Sequence, residues 1–234
     1  MQTGNISSRL KFATLGQTWI TLVEMTVQSG APLAEEGLEL LGVTLSFPAA
    51  WEKDSIIEHF GDQQMMREMS KVFFSDATNA LGHSYAHLVR GPGGRNDFQD
   101  VIALLREQPT TKRAVVTLCG EANFKVPCVN TVQFLVRDGA VQTFYFARGQ
   151  DVFKKFYADG ICLGRMAQTV AHGLELPAGR VNGLIGSSHV YHEDMPAIEQ
   201  FLANTKSLRR SEYPSVGASV RCLAGHALTR EGMS

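Results

Sequence analysis

No apolar run in this 234-residue chain approaches the roughly 18 to 20 residues that a membrane span needs. The opening stretch MQTGNISSRLKF lacks the apolar segment of a secretory signal. Lys and Arg number 22 against 23 Asp and Glu, leaving a net charge of -1. A chain so balanced has no general pull on nucleic acid or on an acidic membrane, although a local cationic pocket stays open. Neither nucleic acid nor membrane is therefore an expected partner. Internal repeats and low-complexity tracts are absent. Cysteine is sparse: four residues, at 119, 128, 162 and 222. None forms C-x-x-C and none has a nearby His at zinc-ligand spacing, so neither a disulfide framework nor a metal site is expected. A reducing cytoplasm is the expected setting.

What is present reads as mixed secondary structure. LGQTWITLVEMTVQSG has apolar residues at helical spacing and stops at Gly30. GLELLGVTLSFP alternates like a strand. QQMMREMSKVFF and DFQDVIALLREQP read as helices, the second stopped by Pro109. LGHSYAHLVRGPGGRN reads as a loop. RAVVTLC, NTVQFLVRD and AVQTFYFARG read as strands, the last two joined by an Asp138-Gly139 hairpin turn. FYADGICLGRMAQTVAHGL reads as a buried helix, RVNGLIGSSHVY as a strand and MPAIEQFLANT as a helix. Strands with hairpins beside helices indicate an α+β fold, expected here as one domain over 1–234. The tail from about 210 to 234 carries the weakest signals.

On its own, the thiol in VPCVNTVQFLVRDG reads as packing, because free Cys is a small, well-buried hydrophobe. The rest of the chain changes that. After Pro127-Cys128 come ARGQDVFKKFYAD, with Arg148, Asp151 and Asp159, and GSSHVYHED, with His189 and Tyr191. Upstream lie Glu68, Tyr85 and the pair Lys112-Arg113. The ordered set PC…Q-F, R-x-x-D-V-F, a helix, then G-x-x-H-V-Y resembles the thymidylate synthase superfamily over about residues 60 to 205. It is most similar to the cytidylate and deoxycytidylate hydroxymethylase branch.

That resemblance implies a large, mostly antiparallel sheet flanked by helices, and an obligate homodimer with two sheets back to back. It implies a pyrimidine nucleoside monophosphate substrate and 5,10-methylenetetrahydrofolate as one-carbon donor. Cys128 matches the nucleophile that adds to carbon 6 of the base and makes carbon 5 nucleophilic. Such a thiol is expected to have a lowered pKa beside a cation, and Arg148 is the candidate. Glu68 matches the glutamate that works in proton transfer, where a buried carboxyl suits acid/base work near neutrality. Arg148 and Arg113 match phosphate ligands, the latter reaching across the dimer. Lys112 stands where the family has a second Arg, and acts more as a point charge. The family's N-terminal Arg-Thr-Gly phosphate loop has no convincing copy, Arg9 being the nearest cation. Gln133 and Asp151 fall on the matched motifs as further substrate contacts. His189 and Tyr191 match the pair that bonds the sugar 3′-hydroxyl, and their i, i+2 spacing puts both on one strand face. Tyr85 resembles a pocket tyrosine.

Asp159 bears on the base. Uracil enzymes of the family carry Asn here and the cytidylate hydroxymethylases Asp. A carboxyl accepts from the cytosine amino group and, when protonated, donates to ring nitrogen 3. Against uracil it meets an acceptor oxygen. The competing reading is a helix N-cap. Trp19 and Trp51, the two tryptophans, lie away from SDATNALGH, where the synthase pattern has one. LAGHALTREGMS does not resemble the synthase tail, and Val129 replaces the His after the synthase cysteine. These departures favour water attack, giving a hydroxymethyl product, over reduction to methyl. Methylation of dUMP and an inactive nucleotide- or RNA-binding relative are the rival readings.

Overall fold

The computed structural model describes residues 10–50, 54–75, 97–118 and 126–208. In chain order these hold β1 (Leu10–Lys11), α1 (Leu15–Ser29), β2 (Ala31–Leu33), β3 (Gly37–Pro48), α2 (Ser55–Phe60), α3 (Gln63–Phe74) and α4 (Asp97–Glu107). Then come β4 (Val115–Thr117), β5 (Val129–Arg137), β6 (Ala140–Asp151), α5 (Phe156–Gly173), β7 (Ala178–Tyr191), a 3-10 turn (His192–Asp194) and α6 (Met195–Asn204). The elements expected from periodicity are present. β2 and α2 were not anticipated. The loop expected at 81–96 and the tail from 209 lie outside the described residues.

The seven strands form one sheet in the order β1-β3-β7-β6-β5-β4, with β2 on the edge of β3. β6/β7 and β1/β3 are parallel and the other pairings antiparallel, so the sheet is mostly antiparallel as expected. The β5–β6 turn is at Asp138 and Gly139, with φ of 51 and 72, the left-handed pair of a type I′ hairpin. The parallel β6/β7 pair requires a crossover, and α5 supplies it. That helix is buried along most of its length. It packs on α1, α3, β6 and β7.

Alternation sets which side chains meet the helices. Val43, Leu45 and Phe47 on β3 and Val181 and Ile185 on β7 are buried. So are Val141, Thr143, Tyr145 and Ala147 on β6, and Val132 and Phe134 on β5. The opposite face leaves Val115, Phe146 and Leu184 exposed. At Gly42, with φ of 67, the parity switches. Beyond it Leu40, Ser188 and Val190 are the buried residues, and Ser188 Oγ meets Thr26 Oγ1 of α1 at 3.1 Å. Glu39, Leu41, Ser187, His189 and Tyr191 therefore emerge on the side away from α1.

Trp19 pins the segment entering α5. Its indole donates to the Phe153 carbonyl at 3.1 Å, and its ring lies 4.2 Å from Tyr157 and 4.5 Å from Phe201. Tyr157 Oη in turn accepts from Asp62 N, tying down the start of α3. No helix among the described residues is long and apolar enough to cross a membrane.

Candidate active site

Cys128 sits just before β5, half-buried. Asn130 Nδ2 donates to the Pro127 carbonyl at 2.8 Å and closes a tight approach to the strand. Arg148 grips the segment twice. Its backbone N–H donates to the Cys128 carbonyl at 2.8 Å, and its Nε donates to the Val126 carbonyl at 2.9 Å. The guanidinium is thus held on the segment that carries the thiol. The expected lowering of the thiol pKa is not met. Burial pushes it up, Arg148 and Lys155 pull it down, and Asp159 and Asp151 push it up; burial prevails.

Asp159 lies in the first turns of α5 and is 4% exposed. It does not cap the helix: Lys155 holds the N-cap position, without a side-chain cap bond. Gln150 Nε2 donates to Asp159 Oδ2 at 2.6 Å. Burial pushes the carboxyl up to about 7, against the Gln150 bond and Lys155, which lower it, while Asp151 adds to the rise. Asp151 uses Oδ1 to accept from Phe153 N and Lys154 N, the turn that launches the chain toward α5. Burial is also the main cause raising its pKa. Three buried oxygens, Gln150 Oε1, Asp151 Oδ2 and Asp159 Oδ1, have no hydrogen-bond partner among the described residues. Unpaired buried acceptors cost about 1–3 kcal/mol each, and a ligand carrying N–H or O–H groups would relieve them.

His189 is the register partner of Asp151 across β6/β7. Its ring meets Tyr191 edge-on at 5.3 Å, and Lys154 Nζ lies 5.3 Å from the centre of the Tyr191 ring. The Tyr191 hydroxyl is pushed up first by burial and then by negative groups that include Asp151 and Cys128. Cys128, Arg148, Asp151, Asp159, His189 and Tyr191 thus converge on one end of the sheet. Lys155 and Gln150 join them and were missed. Lys155 sits beside the Lys154 of DVFKK without a motif position of its own. Gln150 is the strand residue between Gly149 and Asp151, legible only once Asp159 is known to pack against β6.

The other expected residues lie elsewhere. Glu68 is exposed, not buried, because the polar face of α3 turns outward while Met69, Val72 and Phe73 turn inward. It accepts from Gln64 Nε2 at 3.0 Å. Gln133 is on the face away from the helices, paired in register with Val115, and its amide donates to the Lys112 carbonyl at 2.8 Å. Five residues along β5 from Cys128 is roughly 17 Å, too far for one small ligand edge. Lys112 and Arg113 are exposed before β4, and Arg113 Nη2 donates to Gln108 Oε1 at 2.7 Å. Tyr85 lies outside the described residues. A cleft of about 330 Å3 between α2, α3 and α5, lined by Asp54, Glu58, Arg67 and Arg165 among others, contains none of the converging residues. The thiol, the cations and the unpaired acceptors mark the chemistry, so the cleft is not taken as the site.

A thiol at a strand end, beside a cation and buried carboxyls, thus sits on a helix-flanked mixed sheet. The chain belongs to the thymidylate synthase family, whose model, described as thymidylate synthase, matches residues 49–216. A protein of Methanothermobacter marburgensis named "Putative thymidylate synthase" is 21% identical over 213 residues, 81% of this chain and 96% of its own length. One of the same name in Methanosarcina acetivorans is 30% identical over 147 residues, 60% of this chain and 68% of its own. A third, in Methanosarcina barkeri, is 26% identical over 147 residues. The family is one of folate-dependent transferases that add a one-carbon unit to a nucleotide carbon, with methylenetetrahydrofolate as donor.

Proposed function

We propose that the protein converts CMP or dCMP to the 5-hydroxymethyl nucleotide through a covalent Cys128 adduct at carbon 6. The observation that carries this is Asp159: a buried carboxyl, held by Gln150 through one oxygen, with the other unpaired among the described residues. An unpaired acceptor facing the base favours the amino group of cytosine over oxygen 4 of uracil. With its pKa near 7, the same carboxyl can hold the proton that nitrogen 3 needs.

Cys128 gives up its proton and its sulfur adds to carbon 6. Carbon 5 then takes the one-carbon unit and loses its hydrogen as a proton. Tetrahydrofolate leaves, and water adds to the exocyclic carbon. Sulfur is expelled from carbon 6, restoring the aromatic base and the thiol. No electron pair leaves the substrates, so no reductant is consumed. Arg148 serves the phosphate and the thiolate, and His189 and Tyr191 the sugar. Asp151 and Lys155 supply the charge balance between them. Glu68 and Tyr85 keep their assignment from the motif match alone, and Gln133 is set aside by its distance from Cys128.

Lys112 and Arg113 fit a role on a second subunit. The face bearing Val115, Phe146, Leu184 and Leu41 is apolar and exposed, which supports a homodimer joined sheet to sheet. The whole chain is proposed as one catalytic domain in a reducing cytoplasm, where Cys128 stays a thiol.

The names of the relatives favour the alternative, methylation of dUMP. Incubation with methylenetetrahydrofolate and CMP, dCMP, UMP or dUMP in turn, with products identified by mass, decides between them. A hydroxymethyl cytidylate with tetrahydrofolate as co-product is expected. Methylated uridylate with stoichiometric dihydrofolate would overturn the proposal, and no product from any nucleotide would point to an inactive relative.

A further inference from the structure

His189 is held by two residues to which the motif match gives no role, Glu39 and Ser187. Register places Glu39 of β3 directly beside His189 of β7. Ser187, two residues earlier on β7, shares that face. Ser187 Oγ lies 2.5 Å from Glu39 Oε1 and 3.2 Å from His189 Nδ1. The Ser187 carbonyl oxygen lies 3.3 Å from the same Nδ1. His189 Nε2 has no hydrogen-bond partner among the described residues.

The donor and acceptor count leaves one arrangement. A serine hydroxyl has a single proton, and a carboxylate can only accept. The single hydroxyl proton of Ser187 therefore lies toward Glu39. Ser187 Oγ then offers Nδ1 a lone pair. The carbonyl oxygen offers another. With two acceptors facing it, Nδ1 carries the ring hydrogen, and Nε2 of the neutral ring is an acceptor. We infer that Glu39 and Ser187 are positioning residues that lock His189 in its Nδ1–H tautomer, so that Nε2 demands a hydrogen-bond donor from the ligand. A free sugar hydroxyl meets the demand. A group that only accepts does not.

The ligand half of this inference rests on the proposed sugar contact of His189, whereas the tautomer half does not. The test uses 15N-labelled protein at a pH where the ring is neutral. Wild type should give the Nδ1–H signature at His189. Glu39→Gln keeps an acceptor oxygen for Ser187 and should keep it. Glu39→Leu frees the Ser187 hydroxyl to turn toward Nδ1 and should shift population to Nε2–H. Ser187→Ala, which removes the relay, should shift it in the same direction and stands in if the Leu variant does not fold. Binding is read with nucleotides bearing 3′-hydroxyl or 3′-fluoro, the latter an acceptor of similar size. Wild type and Glu39→Gln should prefer the hydroxyl by about 10-fold or more, as one buried hydrogen bond gives, and Glu39→Leu should reduce this to within about 3-fold. An Nε2–H signature in wild type, or no change in Glu39→Leu and Ser187→Ala, overturns the lock. An Nδ1–H wild type that binds both nucleotides equally overturns the sugar contact and leaves the lock standing.

Discussion

Replacing Asp159 by Asn removes a buried group whose protonation the fold strongly favours. Its ordinary value is 3.8, and burial in α5 against β6 raises it to about 7. The folded chain then holds this proton more tightly than the unfolded chain. Its stabilisation is fully present below about pH 4 and is lost progressively as the pH rises from there to about 7. Some three pH units at about 1.4 kcal/mol each make the loss on the order of 4 kcal/mol. Asn cannot ionise. Its carbonyl can still accept from Gln150 Nε2, while its buried amide N–H groups cost about 1–2 kcal/mol if unpaired. At pH 8 the Asp159→Asn protein should therefore be the more stable by about 2 kcal/mol. At about pH 4 the order should reverse, with the curves crossing near about pH 5. Urea unfolding of both proteins between about pH 4 and 8.5 measures this, and titrating groups not coupled to residue 159 cancel in the difference. Parallel profiles would show that Asp159 does not titrate as a buried acid, and the argument for its part in base binding would go with them.

Cys128→Ala should abolish exchange of the carbon 5 hydrogen of bound nucleotide into water, measured by mass or by tritium release. Arg148→Ala should raise the thiol pKa further, since Arg148 is the largest influence pulling it down; at neutral pH, alkylation of Cys128 should slow severalfold. Glu at Phe146 and Leu184 should break the sheet-to-sheet dimer, seen as halved mass in solution, and mixing inactive Cys128→Ala and Arg113→Ala proteins should restore one working site per mixed dimer. Wild type should prefer cytidylates by roughly 100-fold, and Asp159→Asn should cut that ratio sharply and raise uridylate turnover; an unchanged ratio would place base selection on another residue.

Most of the elements were legible because burial imposes a local period. Alternation marked β3 and the β5–β6 hairpin, and Asp138-Gly139 marked their turn. The apolar residues around α5 marked it as buried. α2 escaped because its six residues are too short for a helical period. The site was legible only where chemistry follows a motif. Cys128, Arg148, Asp151, Asp159, His189 and Tyr191 do so, and the structure gathers them. Gln150, Lys155, Glu39 and Ser187 are set by pairings between distant strands and helices, which no window along the chain contains. Gln133 shows the converse. It lies on a matched motif, yet five residues of extended strand put it roughly 17 Å from Cys128. The fall of the Cys128 pKa expected from Arg148 was a two-body argument, and burial, a property of the whole fold, outweighed it.

The α5 crossover also bears on when the protein becomes reactive. Asp151 ends β6 and His189 lies on the parallel neighbour β7, so a whole helix must be laid down between them before their rungs can pair. Contacts this distant along the chain form late, after the entropy of closing the intervening segment has been met. Cys128 joins from β5, on the far side of β6. A nascent or partly unfolded chain therefore exposes a thiol without the carboxyls and imidazole that direct it. On the proposed mechanism Cys128 gains these partners only with the completed sheet, and amide exchange at Val152, whose N–H is bonded to the His189 carbonyl, should report their assembly.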